Sequence, residues 1–146
     1  MEIRALRKED LDQLLALYEH LNPNDLPLPP RSRVDAVWAE LWSDPAYHYF
    51  GGFIGTQLVT SCTLTIIPNL TRGCAPYALI ENVVTHAKYR NRGYGKAVLA
   101  RAVDVAWAAG CYKVMLMTGR KDAATLHFYK SAGFDSGEKT AFIKRK

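Results

Sequence analysis

Apolar residues recur along this chain with two periods, and the switches between them predict its elements. Leu11, Leu14, Leu15, Tyr18 and Leu21 fall at i, i+3, i+4, i+7 and i+10, which is one face of a helix. Residues 2–6 before them read as a short strand. Four prolines among residues 22–30 make a stiff, non-helical loop. Val34, Val37, Trp38 and Leu41 mark a second helix over 32–42, closed off by Pro45. Tyr47–Ile54 and Gln57–Ile67 read as strands around a Gly55-Thr56 turn, and 68–76 as a loop. The run Tyr77–Thr85 is rich in β-branched residues and predicts another strand. A helix over 96–109 carries Val98, Ala102, Val105 and Ala109 down one side and stops at Gly110. Residues 112–117 predict a strand and 122–131 a helix, with Asp122 as N-cap and Gly133 at C′. Residues 140–144 predict a last strand. The order is β-α-α-β-β-β-α-β-α-β, with no internal repeat and no linker, so residues 1–146 read as one domain.

The chemistry concentrates in Tyr89-Arg90-Asn91-Arg92-Gly93-Tyr94-Gly95-Lys96, between a strand and a helix. Unpaired backbone N–H groups and the positive end of the helix macrodipole converge at such a turn. Gly93 and Gly95 permit close backbone approach, and Arg90, Arg92 and Lys96 add charge. The guest this predicts is a phosphate or pyrophosphate. A nucleotide P-loop is excluded: Arg90 stands where its first glycine belongs, and Ala97 follows Lys96 where a hydroxyl is needed. A dinucleotide fingerprint is excluded too, because Val98 replaces its third glycine and Asp104 lies inside the helix.

Charge sharpens this picture. Residues 1–80 carry 6 Lys/Arg against 9 Asp/Glu, whereas residues 81–146 carry 13 against 5. The basic half suits a polyphosphorylated cofactor, and the acidic half suits a cationic amine. Nucleic acid is the competing guest, but no exposed-strand pattern of interleaved aromatic and basic residues stands out. No apolar stretch reaches the roughly 18–20 residues of a membrane span. Met1-Glu2-Ile3-Arg4 enters structure without an apolar signal region, so a cytoplasmic protein is expected. Cys62, Cys74 and Cys111 are odd in number and widely spaced, which argues against disulfides and structural zinc.

Arg90, Gly93 and Gly95 complete an R-x-x-G-x-G pattern. On these residues the chain resembles the GNAT superfamily of N-acetyltransferases, whose [QR]-x-x-G-x-[GA] turn binds the pyrophosphate of acetyl-CoA. Phe128-Tyr129-Lys130-Ser131-Ala132-Gly133-Phe134 is similar to that family's F-Y-x-x-x-G-F ending, and the element order matches over nearly the whole chain. Ile80-Glu81-Asn82-Val83-Val84 through Tyr89-Arg90, and Gly110-Cys111-Tyr112-Lys113-Val114, resemble the glucosamine-6-phosphate N-acetyltransferases. Met117-Thr118-Gly119-Arg120-Lys121-Asp122 departs from them. The resemblance implies an α/β fold of three layers, with a mixed, largely antiparallel central sheet and helices on both faces. It implies acetyl-CoA as co-substrate, without a metal. The cofactor would meet the main chain at Val83 and Val84, the turn Arg90, Asn91, Arg92, Gly93, Tyr94, Gly95 and Lys96, and Phe128 as a wall. Asp122 stands where many members carry an Asn that contacts the cofactor.

Acetyl transfer to an amine requires a neutral amine, a donor for the developing oxyanion and a proton for the departing thiolate. Glu81 is the candidate base: a carboxylate within an apolar strand, where burial is costly without purpose or partner. Simple pairing with a neighbouring cation is its bland alternative. Tyr129 falls on the family's tyrosine that faces the thioester sulfur and is the candidate acid; otherwise it is a core tyrosine. The oxyanion donor is expected from a backbone N–H near Val84, where the family's strand bulges.

His86 and His127 read as solvated or capping, and Cys111 as a small apolar residue. Arg31 and Arg33 either grip an acceptor phosphate or carboxylate or sit in solvent. The acceptor pocket is expected from the first two helices, the proline-rich loop and residues 68–76. A small amine or aminosugar leads as acceptor, ahead of a protein or peptide amine. A homodimer through the C-terminal strand or exposed helices is common for this fold, and no nucleic-acid or membrane partner is expected. A non-catalytic acyl-CoA-binding module and a basic nucleic-acid-binding protein remain as other classes, but neither accounts for Glu81, the basic turn and the F-Y-x-x-x-G-F ending together.

Overall fold

Strands consecutive along the chain tend to lie side by side, and here that tendency orders the whole sheet. The computed structural model describes residues 1–146. Strands β1 (Glu2–Ala5), β2 (Tyr47–Ile54), β3 (Gln57–Ile67), β4 (Tyr77–Thr85) and β5 (Val114–Leu116) lie in the order β1-β2-β3-β4-β5. The first three junctions are antiparallel, and β4–β5 is parallel. Helix α3 (Tyr94–Ala108) makes that last junction possible by carrying the chain back to the start of the sheet's edge. Helices α1 (Leu11–Tyr18) and α2 (Arg31–Ser43) share one core with the sheet, while α3 and α4 (Ala123–Ser131) share another. The class is the expected one: a mixed, largely antiparallel sheet with helices on both faces.

Each face has its own apolar cluster. Leu11, Leu14 and Leu17 of α1 pack with Trp38 of α2 on Leu6, Phe53, Leu58 and Val84. On the other face Val98, Leu99, Ala102 and Ala106 of α3 pack on Phe50, Cys62, Leu64 and Ile80. The buried side of α3 is therefore rotated from the expected stripe, with Val105 half-buried and Ala109 exposed. The helix starts earlier than expected, at Tyr94, and the bulk of Leu99 sets its rotation. Burying a side chain such as Leu14 or Leu99 contributes about 1.5–3 kcal/mol. Asp10 ties the N-terminal end down. Its carboxylate accepts two bonds from the Arg4 guanidinium, at 2.6 and 3.1 Å, and one from the Arg7 N–H at 2.7 Å.

Two C-terminal expectations change. The strand over 112–117 shortens to β5, although Tyr112 N–H still donates to Pro76 O at 2.9 Å. The strand over 140–144 does not form: Phe142 is 92% and Ile143 65% exposed. Phe142 and Ile143 are adjacent rather than alternating, so they offer no single apolar face to the sheet. A β5 of three residues is also too short a template to hold them. The homodimer expected through that strand has no strand to build on in this chain. No helix is long and apolar enough to cross a membrane.

Candidate active site

The site originates in the sheet itself. β4 pairs with β5 only from Ala78 to Ile80, so beyond Ile80 the two parallel strands part. Glu81–Thr85 thus have no strand partner on that side. On the other side, β4's register against β3 slips: Ser61 faces Val84 and Thr63 faces Glu81, leaving Asn82 and Val83 opposite Cys62 alone. Two residues against one is a β-bulge. Asn82 takes φ +52°, the only positive φ within a strand, which Asn tolerates better than most residues. The bulge breaks the inward–outward alternation, so consecutive residues Glu81 and Asn82 are both exposed to the opening.

That opening is a cleft of about 1050 Å³ between the second half of β4, the turn before α3, the exit of β5 and α4. At its α3 end the turn holds Asn91 at φ +59° and Gly93 at φ +79°. Left-handed residues in such a turn gather successive N–H groups into a concave anion cradle, and the positive end of the fifteen-residue α3 lies directly behind it. A Cβ on Gly93 would meet nothing within 4 Å, so its outward side is open. Gly95 serves a different need: a Cβ there would stand 3.0 Å from the Phe128 ring and 3.2 Å from Thr85 Oγ1. It lets α4 pack against the start of α3. The cradle fits a pyrophosphate in backbone shape and in charge.

Arg90 is already engaged. Its Nε donates to Thr85 O at 3.1 Å and an Nη to His20 O at 3.0 Å, which clasps the turn before α3 to the end of α1. His20 and His86 lie ring to ring at 4.0 Å beside this clasp. Partial burial, His20 and the nearby cations hold His86 below its ordinary pKa, and its Nδ1 accepts from Lys88 N–H as a cap.

Tyr129, half-buried on α4, stands against the Phe128 ring at 4.9 Å. Burial raises its phenol above the ordinary tyrosine value; the Arg120 charge pulls it back, and the Glu81 carboxylate adds to the rise. Both charges therefore act on the phenol within one cleft. Asp122 caps α4: its two oxygens accept from Thr125 N–H and Thr125 Oγ1, each at 2.9 Å, and those bonds hold it below the usual carboxylate range.

Residues 14–134 match the family model described as Acetyltransferase (GNAT) family. The chain belongs to the GNAT acetyltransferases. A glucosamine 6-phosphate N-acetyltransferase of Trypanosoma brucei brucei is 32% identical to it, over 95% of this chain and 92% of that protein. A solved structure from Agrobacterium tumefaciens str. C58, described as an acetyltransferase, superposes with a TM-score of 0.94 at 44% identity, covering both chains fully. The glucosamine-6-phosphate N-acetyltransferase of Arabidopsis thaliana shares the fold at a TM-score of 0.82 and 21% identity, over 99% of this chain and 97% of that one. Members of the family use acetyl-CoA.

Most residues singled out in this GNAT sequence converge on the cleft. Glu81, Val83, Val84, Arg90, Asn91, Gly93, Tyr94, Gly95, Lys96, Asp122, Phe128 and Tyr129 all line it. Arg92 does not; its guanidinium lies over the Tyr89 ring at 5.5 Å. Glu81 is exposed rather than buried, because the bulge turns it outward, so the desolvation argument for it lapses. Arg31 is spent on Asp12 and Asp35, at 2.6 and 2.7 Å, and neither it nor Arg33 reaches the cleft. Residues 68–76 stay outside as well. Asn82, Arg120, His127 and Arg145 line the cleft without having been singled out for it. The consecutive polar pair Glu81-Asn82 in an apolar strand was the available signal for Asn82; Arg120 and Arg145 sit in irregular segments with no periodicity to place them.

Proposed function

We propose that this protein transfers an acetyl group from acetyl-CoA to the primary amine of a small molecule, with glucosamine 6-phosphate as the first acceptor to test. The observation that carries the reading is the placing of Glu81 and Tyr129 in one cleft, where β4 and β5 part. Acetyl-CoA, when bound, supplies an activated thioester. The Asn91–Gly93 cradle and Lys96 would hold its pyrophosphate, and Gly95 and Phe128 would wall its arm. Glu81, exposed on the bulge, accepts the proton that an alkylammonium must lose before it attacks. The main-chain N–H groups of the parted stretch of β4 supply the donor toward which negative charge develops. Tyr129, protonated at neutral pH as any phenol is and held so more firmly by burial, gives its proton to the departing sulfur.

The acceptor's phosphate is suggested by charge. Arg120 and Arg145 line the same cleft, and neither pairs with a protein carboxylate. The name of the trypanosomal relative supports the same acceptor. The test is release of CoA thiol, corrected for hydrolysis, with glucosamine 6-phosphate, glucosamine and a lysine peptide offered in turn. The phosphorylated sugar is expected to give the highest kcat/KM. Preference for the peptide would replace the acceptor, and cofactor binding without turnover of any amine would leave a binding module.

A further inference from the structure

One buried polar atom is left over by the site. The Tyr18 hydroxyl, at the end of α1, is shut off from solvent and has no hydrogen-bond partner among the protein's own atoms. Every other buried side-chain nitrogen or oxygen is bonded. A buried hydroxyl without a partner is unfavourable, and native structures retain few of them without a reason. Its surroundings supply one. Burial first, then the nearby Tyr49 and Cys62, hold its phenol protonated far above the ordinary range. The Asn82 amide is the polar group beside it, near enough to pull the phenol back down against burial, yet the pair does not reach hydrogen-bond geometry. Asn82 in turn sits on the bulge next to Glu81 and lines the cleft.

Asn82 tolerates its φ of +52° without help from Tyr18. Glycine tolerates that angle better still, so backbone geometry alone does not require an amide here. We propose that Tyr18 is a positioning residue for the acceptor, acting through Asn82. When the acceptor binds, the Tyr18 O–H donates to the Asn82 side-chain oxygen, and the Asn82 amide hydrogens are left to meet an oxygen of the acceptor beside Glu81. The unpartnered hydroxyl of the free protein becomes bonded only in the complex, so its contribution goes to binding rather than to folding. The inference rests on reading the cleft as an amine-acetylating site.

The experiment compares wild type, Tyr18→Phe, Asn82→Gly and the double variant. Acceptor KM and kcat are measured with glucosamine 6-phosphate, or with the best amine of a panel if that sugar is not acetylated. Acetyl-CoA Kd and Tm are measured without acceptor. Tyr18→Phe is expected to raise acceptor KM about three- to tenfold, the worth of one neutral hydrogen bond. Acetyl-CoA Kd should not move, and Tm should hold or rise because no bond is lost from the free protein. In the Asn82→Gly background Tyr18→Phe is expected to add nothing further. An unaltered acceptor KM overturns the proposal, as does an equal KM increase in the Asn82→Gly background. A Tm lowered by several degrees overturns it too, by showing a structural bond. Acetylation of a different amine alone would count against the aminosugar and leave the Tyr18 comparison intact; a wild type that acetylates no amine overturns both.

Discussion

Glu81 is exposed, so its proposed role as base rests on position, beside the parted end of β4 and within electrostatic reach of Tyr129. Glu81→Gln is expected to lower kcat/KM by about 10²–10⁴ at neutral pH. The loss should shrink as pH rises and the amine deprotonates unaided; a loss that stays constant from pH 7 to 10 would make Glu81 a binding carboxylate instead. Tyr129→Phe keeps the ring that packs with Phe128 and removes the proton, so kcat should fall with acetyl-CoA Kd unchanged. Wild-type turnover from Tyr129→Phe across the pH range would return Tyr129 to a packing role. The two glycines of the turn separate in the same manner. At Gly93 a left-handed φ and open space coincide, so Gly93→Asn should fold and lose cofactor affinity by obstructing the cradle. Gly95→Ala meets the Phe128 ring at 3.0 Å, so it should disturb the cleft wall and lower Tm as well. Calorimetry and thermal melts on both variants check this division; equal Tm loss in the two would refute it.

At the scale of elements, legibility followed periodicity. The β4–turn–α3 unit could be read because a β-branched run, a glycine-bearing basic turn and an alanine-rich helix each carry a local signal. The bulge at Asn82 and Val83 has no such signal, since it arises from how β3 and β4 register against each other; only the family resemblance implied one, near Val84. The last strand was misread because Phe142 and Ile143 satisfy local β preference while nothing long enough receives them. Arg31 shows the same limit: its sequence position suggested a ligand, but Asp12 on α1 lies within reach and takes it. Arg31→Glu should therefore leave acceptor KM unchanged. The ion pair of Asp10 with Arg4 differs, because both partners are largely enclosed and the bond is bidentate. The Arg4 hydrogen bond, opposed by burial and aided by the Arg7 N–H, holds the Asp10 carboxyl below its ordinary value. A lowered folded pKa stabilises above the unfolded value of about 4 and stops doing so as pH falls through the folded one. Tm should thus drop on acidification below about pH 4. Asp10→Asn should lose about 1.5–3 kcal/mol at neutral pH and show a flatter acid limb. Parallel acid limbs in wild type and Asp10→Asn would mean that other carboxylates govern the acid transition.

Across the whole molecule, the cations that the sequence places in residues 81–146 have distinct fates. Arg90 is bonded to the carbonyls of Thr85 and His20, and Arg92 lies over Tyr89 outside the cleft. Lys96, Arg120 and Arg145 face into the cleft without a carboxylate partner. If these three attract the phosphates of CoA and acceptor through solvent, the attraction must weaken as salt shortens the Debye length from about 30 Å at 0.01 M to about 8 Å at 0.15 M. Acetyl-CoA Kd is therefore expected to rise with ionic strength, and dephospho-CoA to show a shallower rise because it carries fewer charges. Lys96→Ala should reduce that slope, whereas Arg92→Ala should leave it as in wild type. Arg90→Ala should behave differently from both: by releasing the clasp on α1 it should weaken acceptor as well as cofactor binding, at low salt and high salt alike. Arg145→Ala should raise the KM of a phosphorylated acceptor and spare that of its unphosphorylated counterpart. A titration of Kd and KM over a salt series in these four variants distinguishes the roles. A salt-independent acetyl-CoA Kd would show that backbone N–H groups at the start of α3, rather than side-chain charge, hold the pyrophosphate.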